Sequence, residues 1–326
     1  MSRSPLVLLV THSGDHFTVE RVAEALARRG ARALRFDTDL FPEEVRLSAA
    51  LAHEGAENVL RVGEAEVEAS EVRAVWARRI WPPRLGGDLD ERFRASCARE
   101  SAAALEGFFD GLGGALWVND PRSERAAENK LLQLRAAREA GLEIPPTLLT
   151  NDAARARAFY EAEGGRVVAK LLRPLSVSMG DAPFFVYTSD VRAEDVEALD
   201  SLRHCPVVFQ RKVEKLRELR VAYVAGRLFT GALDASGSAR GRTDWRLAGP
   251  DECSWSRATL KPPLAARLKK LMRRLGLAYG AIDLIETPDG RHVFLEVNPG
   301  GEWGMLEHDL GLPISEAIAE ALLGDK

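Results

Sequence analysis

The apolar run PLVLLVT at residues 5–11 ends in polar residues and is followed by a helical pattern over 18–29 that stops at Gly30. This predicts a β-α opening. Residues 33–36 read as a strand closed by Asp37, Thr38 and Asp39, with further strands predicted at 45–51, 58–62 and 74–80. A long helix over 91–109 is broken by Gly111, Gly113 and Gly114, a strand at 115–118 follows, and Asn119, Asp120 and Pro121 mark a boundary. Beyond it, Ser123 is suited to cap a helix running to Ala140 and stopped by Gly141, with Lys130 in its middle; Pro145 and Pro146 then enforce extended chain.

Strands at 166–171, 183–188 and 207–210 are predicted around a polar loop at 173–182 and a helix over 191–203. Residues 219–225 and 228–235 alternate around Gly226 as a hairpin, 264–275 is helical, and 279–286 with 292–297 form a second hairpin across Pro288, Asp289 and Gly290. The fold class is α/β (α+β), with no internal repeat. With 326 residues, of which 46% are hydrophobic and 29% charged, the chain has the material for substantial cores and excludes wholesale disorder.

The net charge of −4 removes the electrostatic case for a nucleic-acid partner. The early apolar stretch at 6–10 is far short of a membrane span or secretory core, so a soluble, cytoplasmic protein without a membrane partner is expected. Cys97, Cys205 and Cys253 form no CxxC pair and read as buried or inert thiols.

Glu296 and Asn298 lie two apart on a strand and so share a face, and Asp283 sits on the partner strand of the same hairpin. Two carboxylates and an amide oxygen converging there suit Mg²⁺ that is also held by phosphate. Alone, the pattern fits equally a half-exposed strand with polar residues facing water. Lys170 ends the apolar strand VVAK, where an anionic partner such as phosphate offsets the cost of burial. Lys130 is a second candidate cation, although among Glu124, Glu128, Arg135 and Arg138 it also reads as a solvated helical lysine. The loop from Ser176 to Gly180 carries hydroxyls and backbone amides suited to closing over phosphates. Gln210 ends an apolar strand whose edge can offer backbone groups to a purine. His12 and His16 are four apart, a spacing that fits a turn better than a metal site. Asp244, Trp245 and Arg246 form a polar cluster after a Gly/Ser loop.

THSGDHFTVERV, RFDTDLFPEEVRLS and AVWARRI resemble the amino-terminal domain of the graspetide synthetases, the MvdC and MvdD type of ATP-grasp ligase that macrocyclises ribosomal peptides. The resemblance extends through ENKLLQLRAAREAGLEIPPT, VVAK, FQ, ELRV, DWR, AIDL and FLEVNPGGEW, in order. It implies an amino-terminal pre-ATP-grasp domain at 1–120 and a two-subdomain ATP-grasp module divided as 121–206 and 207–326. By the same resemblance Lys130 and Lys170 contact ATP phosphates, Gln210 with the backbone of Arg211 and Val213 holds adenine, and Glu218 faces ribose. Ser176 and Gly180 belong to the lid, Arg220 neutralises the transferred phosphate, and Asp283, Glu296 and Asn298 bind two Mg²⁺ ions, with Glu296 bridging. Asp244 and Arg246 handle the core peptide. Arg211 and Lys212 depart from an acid and an aromatic residue in related hinges, and the lid is glycine-poor.

The implied reaction activates an Asp or Glu side chain of a precursor peptide as an acyl phosphate for attack by a hydroxyl or amine. The implied partners are that peptide, with leader and core segments, and a second copy of the chain in a homodimer. The leader is expected at the 219–235 hairpin and the neighbouring 191–203 helix, read as exposed. Two other readings remain open: another ATP-grasp carboxylate ligase acting on a protein tail or small peptide, and a noncatalytic peptide-binding shell.

Overall fold

The computed structural model describes residues 4–172, 188–234 and 254–324. The amino-terminal part runs β1 (Leu6–Thr11), α1 (Phe17–Arg28), β2 (Arg32–Asp37), β3 (Val45–Ala52), β4 (Gly55–Val62), β5 (Ala65–Glu68), β6 (Val72–Ala77), α2 (Glu91–Asp110) and β7 (Leu116–Val118). Strands β2, β1, β6 and β7 form a parallel sheet in that order, and β3, β4 and β5 an antiparallel one. β1 is buried along its whole length, as a strand covered on both faces must be, which explains its unbroken apolar run. The order of β1 and β6 brings the carboxyl ends of both strands, with His12 and Arg78 just beyond them, to one edge of the sheet.

The middle part contains α3 (Pro121–Ala127), α4 (Lys130–Ala140), β8 (Thr147–Thr150), α5 (Ala153–Ala162), β9 (Val167–Lys170), β10 (Ser189–Asp190), α6 (Ala193–Glu197) and β11 (Val207–Arg211). β10, β9, β11 and β8 form one antiparallel sheet. The helix expected from Ser123 to Ala140 is two helices. Asp120 caps the first by accepting from the amides of Arg122 and Ser123, with Pro121 in its first turn; Asn129 caps the second by accepting from Leu131 and Leu132. Lys130 therefore opens α4 rather than occupying a helix middle. The helix expected over 191–203 is only α6 and a 3₁₀ segment, Leu199–His204. The strand expected at 183–188 lies outside the described residues but for Thr188.

The last part comprises β12 (Arg217–Val224), β13 (Arg227–Asp234), β14 (Ser254–Arg257), α7 (Pro262–Arg274), β15 (Tyr279–Glu286), β16 (His292–Asn298), α8 (Gly304–His308) and α9 (Ile314–Leu323). Its sheet runs β14-β13-β12-β15-β16, so the β12–β13 hairpin lies inside the sheet, with Leu219 to Val224 and Phe229 to Leu233 buried. The expectation that this hairpin presents an exposed leader surface is therefore wrong: its apolar residues fall on both faces and both are covered. Of the expectation of buried or inert thiols, burial does not hold, since Cys97 is half-buried and Cys205 exposed; Cys253 lies outside the described residues.

One apolar core joins the first and last parts through Val7, Leu9, Val22, Trp76, Ala222, Trp303 and Ile318. Asn119, 1% exposed, ties the same junction: its Nδ2 donates to the carbonyls of Tyr279 at 3.0 Å and Pro299 at 3.4 Å, while its Oδ1 accepts from the amides of Ala278 and Tyr279, each at 2.8 Å. Asn119→Asp keeps the shape but removes both donors and turns a buried acceptor onto two carbonyls. It is expected to lower the unfolding free energy by about 3 kcal/mol, read from the denaturant midpoint.

Candidate active site

Register builds the centre of the site. Arg220 on β12 pairs with Asp283 on β15, and Asp283 pairs with Glu296 on β16, so three functional side chains form a lateral row on one face of the sheet. Arg220 Nη1 donates to both Asp283 oxygens at 3.0 Å, and Lys130 Nζ reaches Glu296 Oε2 at 2.6 Å from the start of α4. The row sets the two carboxylates side by side with a cation at each end, Arg220 on Asp283 and Lys130 on Glu296, which offsets the cost of half-burying four charges. Asn298, one strand repeat beyond Glu296, pairs in register with Ala281 and is exposed. Gln133, buried on α4, fixes β16 by donating to the Val297 carbonyl at 2.7 Å and accepting from its amide at 2.9 Å. Thus α4 brings Lys130 to the acids and holds the acids' own strand. The oxygen donors Asp283, Glu296 and Asn298 fit a hard divalent cation; among the described residues no group of three His, Cys, Asp or Glu side chains gathers as a metal centre, His12 and His16 included.

Lys170 ends β9 opposite Val208 and is half-buried. Gln210 is buried and donates to Thr147 Oγ1 at 2.9 Å, while the Arg211 amide donates to the Pro146 carbonyl at 2.9 Å. The Arg211 side chain turns to Glu163, and Glu218 pairs with Lys215 at 2.5 Å. Arg211 and Val213 line a cavity of about 370 Å³ shared with Arg166, Lys212, Asp289 and Arg291. Ser176, Gly180, Asp244 and Arg246 lie outside the described residues.

Sequence reasoning assigned no role to Arg78 or Glu302, although both stand in the quoted motifs AVWARRI and FLEVNPGGEW. Arg78 is 1% exposed and donates to the Gly300 carbonyl and, at 2.6 Å, to Glu302 Oε2. A charged residue immediately after an apolar strand was the available signal. His12 stacks on Trp81 with ring centroids 3.8 Å apart.

Beside Gly300, burial pushes the Glu124 carboxyl up to about 8, with Glu128 adding to the shift and Arg78 opposing it. The folded chain thus keeps a proton that the unfolded chain releases from about pH 4.5 upward, so this group's contribution to stability declines as pH rises from 4.5 to about 8. Glu124→Gln is expected to match the parent below that window and to melt higher above it, by an amount on the order of 2 kcal/mol, in melting curves recorded against pH.

The carboxylate row, the lysine at a strand end and the two antiparallel sheets behind an amino-terminal α/β sheet define an ATP-grasp architecture. Residues 6–125 match the family model of the MvdD pre-ATP grasp domain. The fold is similar to macrocyclase MdnB from Microcystis aeruginosa MRC, at 48% identity and TM-score 0.85 over 98% of this chain and 99% of that one. It is also similar to macrocyclase MdnC of the same organism, solved with precursor peptide MdnA, at 33% identity and TM-score 0.88 over 98% and 99%. A third likeness is to a RiPP-associated ATP-grasp ligase of Chryseobacterium gregarium in complex with ADP and a leader and core peptide, at 28% identity and TM-score 0.91 over 99% and 97%. No curated protein matches the chain. The chain belongs to the graspetide synthetases, the ATP-grasp macrocyclases of ribosomal peptides. Among the described residues no helix is long and apolar enough to cross a membrane.

Proposed function

We propose that the protein closes rings in a ribosomally made precursor peptide at the expense of ATP. An Asp or Glu side-chain carboxylate attacks the γ-phosphorus, giving an acyl phosphate and ADP; a Ser or Thr hydroxyl, or a Lys amine, then attacks the acyl carbon and releases phosphate, leaving an ester or amide. The observation that carries this reading is the row Arg220, Asp283, Glu296 and Lys130, set in a chain of this family.

Asp283, Glu296 and Asn298 are the proposed Mg²⁺ ligands, for two ions with Glu296 shared; bound Mg²⁺ supplies charge neutralisation on the phosphates. Lys130 and Lys170 are assigned to the phosphates and Arg220 to the phosphoryl group in transfer, where planar donors match its oxygens. Gln210, held by Thr147, and the backbone at Arg211 and Val213 are assigned to adenine, and Glu218 to ribose. Ser176 and Gly180 as lid, and Asp244 and Arg246 as core-peptide contacts, rest on the motifs alone. The attacking carboxylate is already ionised at neutral pH, so the first step needs alignment and charge neutralisation rather than a protein nucleophile or base.

The division into 1–120, 121–206 and 207–326, a homodimeric assembly and a cytoplasmic location, where ATP and new peptide meet, are part of the same proposal. The test uses a candidate precursor peptide whose core sets Ser, Thr or Lys opposite Asp or Glu, incubated with ATP and Mg²⁺. Precursor-dependent ADP release with loss of one water per ring supports the reading, whereas a mass gain by one amino acid would mark a tail ligase.

A further inference from the structure

The segment from Pro299 to Glu302 directly follows Asn298 and has glycine at its two middle positions. Glycine is required there by close approach: a Cβ on Gly301 would lie 2.5 Å from the Ala281 Cβ, and one on Gly300 would lie 3.0 Å from the Arg78 carbonyl. Its four consecutive carbonyls are each held by a side chain from a different part of the chain. Asn119 donates to Pro299 at 3.4 Å, Arg78 to Gly300, the Tyr279 hydroxyl to Gly301 at 2.7 Å, and Arg220 to Glu302 at 3.1 and 3.3 Å.

Glu302 is the hub of this arrangement. Its Oε1 accepts from the amides of Trp303 at 3.0 Å and Gly304 at 2.8 Å, its Oε2 takes Arg78 at 2.6 Å, and its carbonyl takes the same Arg220 that grips Asp283. Arg78 is fixed in turn: its amide donates to the Val10 carbonyl at 2.9 Å, and its Nε lies 3.8 Å from Asp15 and 3.5 Å from Thr18 Oγ1.

We propose that Arg78 and Glu302 are positioning residues, a relay by which the amino-terminal sheet sets the orientation of Arg220 and Asp283 and so the nucleotide and Mg²⁺ affinity of a site to which that sheet contributes no proposed ligand. An ordinary ion pair between two parts of a chain would need only the two charges. Here Arg78, whose side chain is buried although that of Glu302 is partly exposed, also holds the backbone between Asn298 and the Arg220 acceptor, so the pair fixes geometry more than it adds net stability. The proposal deepens the reading above, since it assumes that Asp283, Glu296 and Asn298 hold the metal.

The experiment compares Arg78→Lys, Glu302→Gln and the double variant in the full chain, by calorimetric titration with ADP in Mg²⁺ and in chelator, and by amide exchange over 299–303. Expected are about tenfold weaker ADP binding in Mg²⁺, unchanged binding in chelator, faster exchange over the segment, and a double variant no weaker than the worse single one. Glu302→Gln retains the carbonyl bonded to Arg220 and so guards against misfolding of the Arg78 variant. Lower melting points with unchanged Mg²⁺-dependent affinity, unchanged exchange, or additive losses in the double variant would overturn the relay. Because no peptide is used, absence of ring closure by the parent would contradict the macrocyclisation reading while leaving these results interpretable.

Discussion

Glu296→Gln is expected to reduce precursor-dependent ATP turnover by at least roughly 100-fold, corresponding to about 3 kcal/mol of lost charge stabilisation. The substitution keeps shape and removes one negative charge from the position opposite Asp283, where a shared metal ligand is proposed. Stability should change little. The Lys130 partner is only partly buried, and Gln133 continues to hold β16 through Val297 whatever stands at position 296. Initial rates at saturating Mg²⁺ with a parallel thermal melt check both halves; parent-like turnover would remove Glu296 from the metal set.

Arg220→Ala carries a double cost. Removing the guanidinium takes the Arg220 donors away from the Asp283 carboxylate and the Glu302 carbonyl in a site where Arg220 and Asp283 side chains are 10% and 18% exposed. The unfolding free energy should fall by about 3 kcal/mol. Turnover of the folded fraction should fall roughly 100-fold or more, because a donor aimed at transferred phosphate is lost. Arg220→Lys separates the two effects. A lysine keeps the charge beside Asp283 but cannot hold Asp283 and the Glu302 carbonyl together through one planar fork, so it should recover more stability than turnover. Denaturant titrations and rates on the same preparations would show equal recovery of both if Arg220 were only structural.

That Asp283 and Glu296 converge on partner strands was legible from the hairpin, but their direct pairing was not: the turn pairs Leu284 with Phe294, which alone would set Asp283 opposite Leu295, and a register shift between Asp283 and Leu284 brings it opposite Glu296. The α/β class and the family were legible from motifs in order. Lys130 was obscured by its charged neighbours: a continuous helix from Ser123 hides it among solvated residues, whereas the cap at Asn129 restarts the helix and aims Lys130 at Glu296. The hairpin at 219–235 misled because alternation was read as one exposed face, when LRVAYV carries apolar groups on both faces and sits inside a five-stranded sheet. Arg78 and Glu302 are 224 residues apart, and no local pattern announces a contact over that separation. The short helices α5 and α9 were missed although Asp152 caps the first and Gly324, in the left-handed conformation, ends the second.

The central claim is that ring closure passes through an acyl phosphate formed on an acidic side chain of the peptide. A precursor whose Asp and Glu carboxylates carry heavy oxygen, processed by the parent chain with unlabelled ATP, distinguishes this from other routes. One labelled oxygen should appear in inorganic phosphate for each ring closed, because the carboxylate oxygen that attacks phosphorus leaves with it. Ring formation with all label retained in peptide and water, and none in phosphate, would contradict the account.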